Sequence, residues 1–180
     1  TLSSSSAASD VYKRQAWQDW LAATRLAVRE ARRLIAQGDE LQLVGYSAGG
    51  GLALKYALDA LGNDELARPT RLTLISPMIG VAGYARFAGL AGLPAVFPAF
   101  AKAAWLDVLP EYNPFKYNSF PLNAARQSYL FTRALQEQLA LLAGREALGE
   151  LAPVLTFQSL VDYTAVSYTH LRAHETRGNL

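Results

Sequence analysis

The chain has 180 residues, which is long enough for one domain with a sizeable hydrophobic core. Its formal net charge of +2 gives no electrostatic reason to expect nucleic acid as a partner. It contains no cysteine, so disulfides, zinc–thiolate sites and a cysteine nucleophile are excluded. The most apolar stretch, residues 87–106, is interrupted by Pro94, Pro98 and Lys102, so we expect no transmembrane segment.

The two ends of the chain differ from the rest. Residues 1–15 have no apolar periodicity and lack the long apolar core of a signal peptide. Within them, residues 6–15 resemble translated sequencing-adapter read-through, and residues 166–176 resemble the matching artefact. We therefore expect 1–15 and 166–180 to be non-native or disordered tails around a fragment of about 16–165. Cellular location and oligomeric state are not predicted.

The first regular element is an amphipathic helix over residues 16–37. Apolar residues such as Trp17, Leu21 and Val28 share one stripe, while four arginines occupy the other side. We interpret the arginines as a solvated face. Gly38 lies where a C-terminal cap is expected.

A short buried strand is predicted at residues 41–45, and Gly45-Tyr46-Ser47-Ala48-Gly49 overlaps its end. A helix from Ala48 to Leu61 follows at once. Strand, Gly-x-Ser-x-Gly and helix in this order are typical of a nucleophile elbow, a strained turn that exposes a serine hydroxyl at a sheet edge. We expect a Cβ at Gly45 or Gly49 to collide with neighbouring backbone. The alternative is a tight turn that happens to contain serine.

A second strand is predicted at residues 71–76, ended by Pro77, and it should lie parallel and adjacent to the first. Residues 16–78 are thus the first part of an α/β core. Residues 79–150, rich in aromatics, are interpreted as a cap or lid insertion. An amphipathic helix from about Leu122 to Ala143, ending at Gly144, is predicted within it.

The core resumes at residues 151–165 with a third buried strand, predicted over residues 153–162. Asp162 lies at its carboxyl end, so we expect its side chain and Ser47 to face one crevice. Asp59 and Asp107 are weaker candidates for an acid, because one lies late in a helix and the other in the cap. An unpaired loop aspartate is the alternative for Asp162.

These features resemble the α/β-hydrolase superfamily, in particular capped serine hydrolases of the esterase, lipase and lysophospholipase kind. The resemblance covers about residues 16–165 and implies a partial α/β-hydrolase fold, a parallel sheet flanked by helices with a mostly helical cap. It implies Ser47 as nucleophile, the Ala48 backbone N–H as an oxyanion donor, and Asp162 as the acid that orients a histidine. The implied reaction is hydrolysis of a small-molecule carboxylic ester, with lipid-like acyl groups favoured, through an acyl-serine and without metal or cofactor.

Two parts of that machinery are not found in the sequence: the histidine, and a second oxyanion donor that the resemblance places in a loop after an earlier strand, for which residues 1–15 offer no candidate. His170 and His174 follow Asp162 in the required order, but a crossover helix alone needs roughly 10–12 residues before a further strand. We reject both and expect the chain to be inactive or nearly so. The alternatives are an acyltransferase, thioesterase or peptidase on the same fold, or a non-catalytic domain that binds an apolar ligand or a partner.

Overall fold

The computed structural model describes residues 14–36, 38–80, 105–107 and 120–158. The helices are α1 (Trp17–Leu34), α2 (Ala48–Leu61) and α3 (Leu122–Gly144), with a 3-10 turn at Ala147–Glu150. The strands are β1 (Gln42–Tyr46), β2 (Arg71–Ile75), β3 (Trp105–Asp107), β4 (Phe120–Pro121) and β5 (Val154–Phe157). No helix in these ranges is long and apolar enough to cross a membrane.

A parallel sheet of order β1-β2-β5 organises the fold, which is therefore of the α/β class. Strands β1 and β2 pair in parallel, with Leu43 opposite Leu72 and Tyr46 opposite Ile75. The predicted adjacency of the first two strands is confirmed. The third predicted strand is also confirmed as β5, parallel to β2 but ending at Phe157.

The chain divides into two compact units. One comprises Thr1–Trp17 with Gly83–Leu130, and the other comprises Gln18–Ala82 with Phe131–Leu180. The second unit contains the parallel sheet, whereas β3 and β4 form an antiparallel pair in the first. Of the predicted cap, residues 81–104 and 108–119 lie outside the described residues, and its predicted helix is confirmed as α3.

Helix α1 forms where the apolar stripe predicts it, with Leu21 and Val28 buried. It ends at Leu34, earlier than predicted, so Gly38 is not its immediate cap. A hydrogen bond stabilises the turn after α1, because the Ala36 N–H donates to the Asp39 carboxylate. Gly38, at φ +101°, supplies the left-handed turn between those two residues.

Helix α2 is the most buried element and has the predicted bounds. Tyr56, Leu58 and Ala60 are at most 1% exposed. Burial raises the pKa of the Tyr56 hydroxyl, which donates to the Ala67 carbonyl oxygen at 3.0 Å. The helix ends at Gly62, whose N–H donates to the Asp59 carbonyl oxygen.

The two faces of the parallel sheet differ in burial. Leu72 and Leu74 are each 1% exposed on the face that α2 covers. On the other face Val44 is 69%, Tyr46 70% and Phe157 55% exposed. The prediction that the first and third strands are buried is therefore wrong for this face. Their apolar runs are typical of strands covered on both sides, but no described helix covers the second side.

Candidate active site

Ser47 joins the end of β1 to the start of α2 with an unusual backbone conformation. Its φ is 52° and its ψ is −119°, which a residue with a side chain rarely adopts. Such a conformation costs about 1–3 kcal/mol and persists only where the surroundings impose it. The predicted strained turn is confirmed, while the catalytic role of Ser47 stays a prediction.

The close approach of strand and helix involves different glycines from those predicted. A Cβ at Gly45 would lie 2.5 Å from the Gly49 carbonyl oxygen, so the prediction for Gly45 is confirmed. A Cβ at Gly49 would meet no atom within 4 Å, so the prediction for Gly49 is wrong. Gly49 lies on the open side of the first helical turn.

The crowded helical positions are Gly50 and Gly51. A Cβ at Gly50 would lie 2.9 Å from the Pro77 Cβ, and one at Gly51 would lie 2.5 Å from the Met78 carbonyl oxygen. Sequence reasoning missed both residues. The signal was present as the uninterrupted run from Gly49 to Gly51, because helix interiors disfavour glycine unless packing requires it.

Hydrogen bonds from both sides hold the backbone of Ser47. Its N–H donates to the Ile75 carbonyl oxygen at 3.0 Å, which ties the elbow to the end of β2. Its carbonyl oxygen accepts from Gly50 N at 3.0 Å, Gly51 N at 3.2 Å and Met78 N at 2.8 Å. The strained conformation is thus maintained by the adjacent strand and by the helix together.

The Ser47 hydroxyl does not cap the helix that it precedes. A serine at this position of a helix normally accepts a hydrogen bond from an N–H of the first turn. Ser47 makes no such bond, its residue is exposed, and its Oγ has no hydrogen-bond partner among the described residues. The strained backbone thus removes Ser47 from the usual capping geometry.

The Ala48 N–H begins α2 beside this hydroxyl. The first N–H groups of a helix have no partner within the helix, and the helix dipole places partial positive charge there. No described residue accepts a hydrogen bond from Ala48 N. An N–H group in this position can bind an anion. Tyr46 precedes it on the exposed sheet face, with its side chain 70% in solvent.

Ser76 is a second strained serine beside the first. Its φ is 41°, and its N–H donates to the Phe157 carbonyl oxygen at 2.7 Å. Because Tyr46 pairs with Ile75, Ser47 and Ser76 follow directly after paired residues at the same sheet edge. Sequence reasoning missed Ser76, although a hydroxyl directly after a strand was a usable signal.

Of the remaining predicted groups, three lie outside the described residues and one, Asp107, lies in the other compact unit. Asp162, His170 and His174 lie outside the described residues, which contain no histidine. Asp107 ends β3, where its backbone pairs with Phe120. Within the ranges described, no group of three His, Cys, Asp or Glu side chains could hold a metal ion.

Asp59 does not serve as an acid for Ser47. It lies three turns further along α2, roughly 18 Å away along the helix axis. Its carboxylate accepts hydrogen bonds from Lys55, from Arg25 at 2.8 Å and from Gln138 at 3.0 Å. Burial raises the pKa of Asp59, but the hydrogen bonds from Lys55, Arg25 and Gln138 and the Lys55 charge outweigh it and lower the pKa overall.

No protein-family model matches the chain, and no curated protein matches it. The geometry around Ser47 is therefore the basis of the functional proposal.

Proposed function

We propose that this chain carries the nucleophile of a serine hydrolase of the α/β-hydrolase superfamily, acting on carboxylic esters through an acyl-serine intermediate. One observation supports this more than any other. Ser47 has a strained backbone between a parallel strand and a helix N-terminus, and it is an exposed residue whose hydroxyl has no hydrogen-bond partner among the described residues. A serine in an ordinary tight turn needs neither the strain nor the unsatisfied hydroxyl.

The proposed reaction begins when Ser47 Oγ attacks the ester carbonyl carbon and transfers its proton to a general base. The carbonyl oxygen becomes an oxyanion, which the Ala48 N–H binds. The intermediate then expels the alcohol, which takes up the proton held by the base. The acyl-serine that remains is hydrolysed by water. One oxyanion donor contributes about 3 kcal/mol of transition-state stabilisation.

The proposed acid is Asp162, which would orient the base. We propose that the base is a histidine other than His170 and His174, because the sequence after Asp162 leaves no room for helix and strand before either of them. The 180-residue chain by itself is then a poor catalyst that keeps a competent nucleophile turn.

A fluorophosphonate probe tests the proposal, because it reacts covalently with activated serines and mimics the ester carbonyl. In the full chain we expect slow labelling that mass spectrometry locates at Ser47 and that Ser47→Ala abolishes. Ser76→Ala is the matched control, since Ser76 is also strained and lies at the same sheet edge, and it should retain labelling. Labelling that survives Ser47→Ala, or a probe that never reacts at Ser47, contradicts the proposal.

The type of bond that is hydrolysed is tested with protein whose Ser47 reacts with the probe. Hydrolysis of esters in preference to matched thioesters and amides supports the esterase proposal. Preference for a thioester or an amide instead supports a thioesterase or a peptidase on the same fold.

A further inference from the structure

The peptide group between Ser47 and Ala48 is held more firmly than a helix start requires. Because this group is planar and trans, its C=O and N–H point in opposite directions. The Ser47 oxygen accepts three hydrogen bonds, of which that from Met78 N, at 2.8 Å, is the shortest. The bonds from Gly50 and Gly51 come from the same helix, whereas Met78 lies in the loop that follows β2.

We infer that the backbone N–H of Met78 is a positioning group for the oxyanion donor. By holding the Ser47 carbonyl oxygen, it fixes the plane of the Ser47–Ala48 peptide group and aims the Ala48 N–H away from that oxygen. This inference rests on the proposed function, since it assigns to Ala48 the role of binding the oxyanion.

The helix alone is poorly suited to fix this plane. Helix ends fray, and the first turn of α2 contains Gly49, Gly50 and Gly51. Glycine has more backbone freedom than any other residue type. A donor from outside the helix removes that freedom at the one peptide group whose direction matters. Met78 is held in place because Pro77 before it is almost fully buried. The next residue, Ile79, donates its N–H to the Pro77 oxygen at 3.0 Å.

The glycines explain how the loop reaches the carbonyl. A side chain at Gly50 would strike Pro77, and one at Gly51 would strike the Met78 carbonyl oxygen. Either residue would therefore push the loop away from Ser47 and lengthen the Met78–Ser47 hydrogen bond. Gly50 and Gly51 thus keep space for the loop at residues 77–78.

The same hydrogen bond also strengthens the donor. An amide whose carbonyl oxygen accepts hydrogen bonds is polarised, and its N–H becomes a stronger hydrogen-bond donor, by about 10–30% per bond. Holding and polarising act in the same direction here, since both improve binding of an anion by Ala48.

The test replaces the Met78 backbone N–H with an oxygen atom. In the full chain, the α-hydroxy analogue of methionine at position 78 converts the Pro77–Met78 amide into an ester and removes the N–H. Labelling serine with ¹³C′ and alanine with ¹⁵N shows only two peptide groups by NMR, Ser6–Ala7 and Ser47–Ala48. We expect the Ser47 ¹³C′ and Ala48 ¹⁵N signals to move upfield while the other pair stays in place.

Two controls separate this effect from general damage. The α-hydroxy analogue of isoleucine at position 79 removes the neighbouring hydrogen bond to Pro77 but keeps the Met78 N–H. Met78→Ala changes the side chain and also keeps that N–H. Both should leave the Ser47–Ala48 signals unchanged, whereas Gly51→Ala, which displaces the loop by steric contact, should move them as the position-78 ester does.

The rate of Ser47 phosphonylation is the functional readout. The position-78 ester should slow it by at least about tenfold, since complete loss of an oxyanion donor costs about 100- to 1,000-fold. If the ester and Gly51→Ala leave the NMR signals unmoved, or if the controls move them equally, the positioning role is wrong. If the NMR signals move as expected but the probe never reacts at Ser47, the Met78 contact is confirmed and the proposed function is contradicted.

Discussion

Gly50 lies so close to Pro77 that a Cβ on Gly50 would be 2.9 Å from the proline Cβ. This contact joins the first turn of α2 to the loop after β2. Met78 of the same loop donates a hydrogen bond to the carbonyl oxygen of the strained Ser47. The neighbouring Gly49, one residue earlier in the same turn, has open space where its Cβ would be. Two adjacent glycines therefore have opposite steric environments.

Alanine at these two positions should have opposite effects on stability. Gly49→Ala should raise the free energy of unfolding by up to about 1 kcal/mol, because alanine is the better helix former. Gly50→Ala should lower it by about 1–3 kcal/mol, because the methyl group must displace Pro77. Urea denaturation followed by circular dichroism measures both. Equal effects of the two substitutions would contradict the close contact.

Asp59 should make stability depend on pH, because its pKa is lower in the folded chain than in the unfolded one, near 3.9. Its contribution is fully present above the unfolded value and is lost as the pH falls through the folded value. Asp59→Asn should cost about 1–3 kcal/mol at pH 7, because Lys55 then keeps a largely buried charge without its carboxylate partner. The difference from wild type should shrink steadily in urea titrations below about pH 4.

The pair Arg133–Glu137 provides a matched control for Asp59. It also joins a cation to a carboxylate four residues apart on one helix, at 2.7 Å, but both side chains are 64% exposed. Glu137→Gln should therefore change the free energy of unfolding by less than about 0.5 kcal/mol at any pH. An effect as large as that of Asp59→Asn would show that burial is not the cause.

The order of the elements around Ser47 could be predicted from the sequence because the relevant signals are local. Alternation, glycine and a helix-forming run determine β1, the turn and α2 within twenty residues. The burial of β1 and β5 could not be predicted in the same way. An apolar strand has the same pattern whether or not a helix covers its second face, and that depends on elements far away in the chain.

The details of the site show the same division. That Gly45 faces the helix follows from the turn itself, which the Gly-x-Ser-x-Gly pattern specifies. Gly50 and Gly51 are crowded, and Gly49 is not, because of contacts with Pro77 and Met78. Those two residues lie in the loop after β2, far from α2 in the sequence. Ser76 lies beside Ser47 for the same reason, since only the pairing of β1 with β2 brings the two strand ends together.

The two histidines of the chain should be irrelevant to Ser47. His170→Ala and His174→Ala should each leave the rate of fluorophosphonate labelling unchanged within about twofold, because the segment after Asp162 is too short for the helix and strand that the proposed α/β-hydrolase fold would require there. Added imidazole should raise that rate in wild type and in both variants, since a small base can then accept the serine proton. Loss of labelling in either histidine variant would identify that residue as the base.

The uncovered face of the sheet should make the chain associate with itself. Val44, Tyr46, Leu155 and Phe157 each expose more than half of their surface on this face, and contiguous apolar patches of this kind promote association. Sedimentation velocity over a range of concentrations should show species larger than the monomer, and Val44→Thr with Phe157→Thr should reduce them. Leu34→Thr is the control, because Leu34 is 87% exposed but belongs to α1 and not to a strand of the sheet. A wild-type chain that stays monomeric at high concentration, or one whose association responds to Leu34→Thr instead, would show that this face does not drive association.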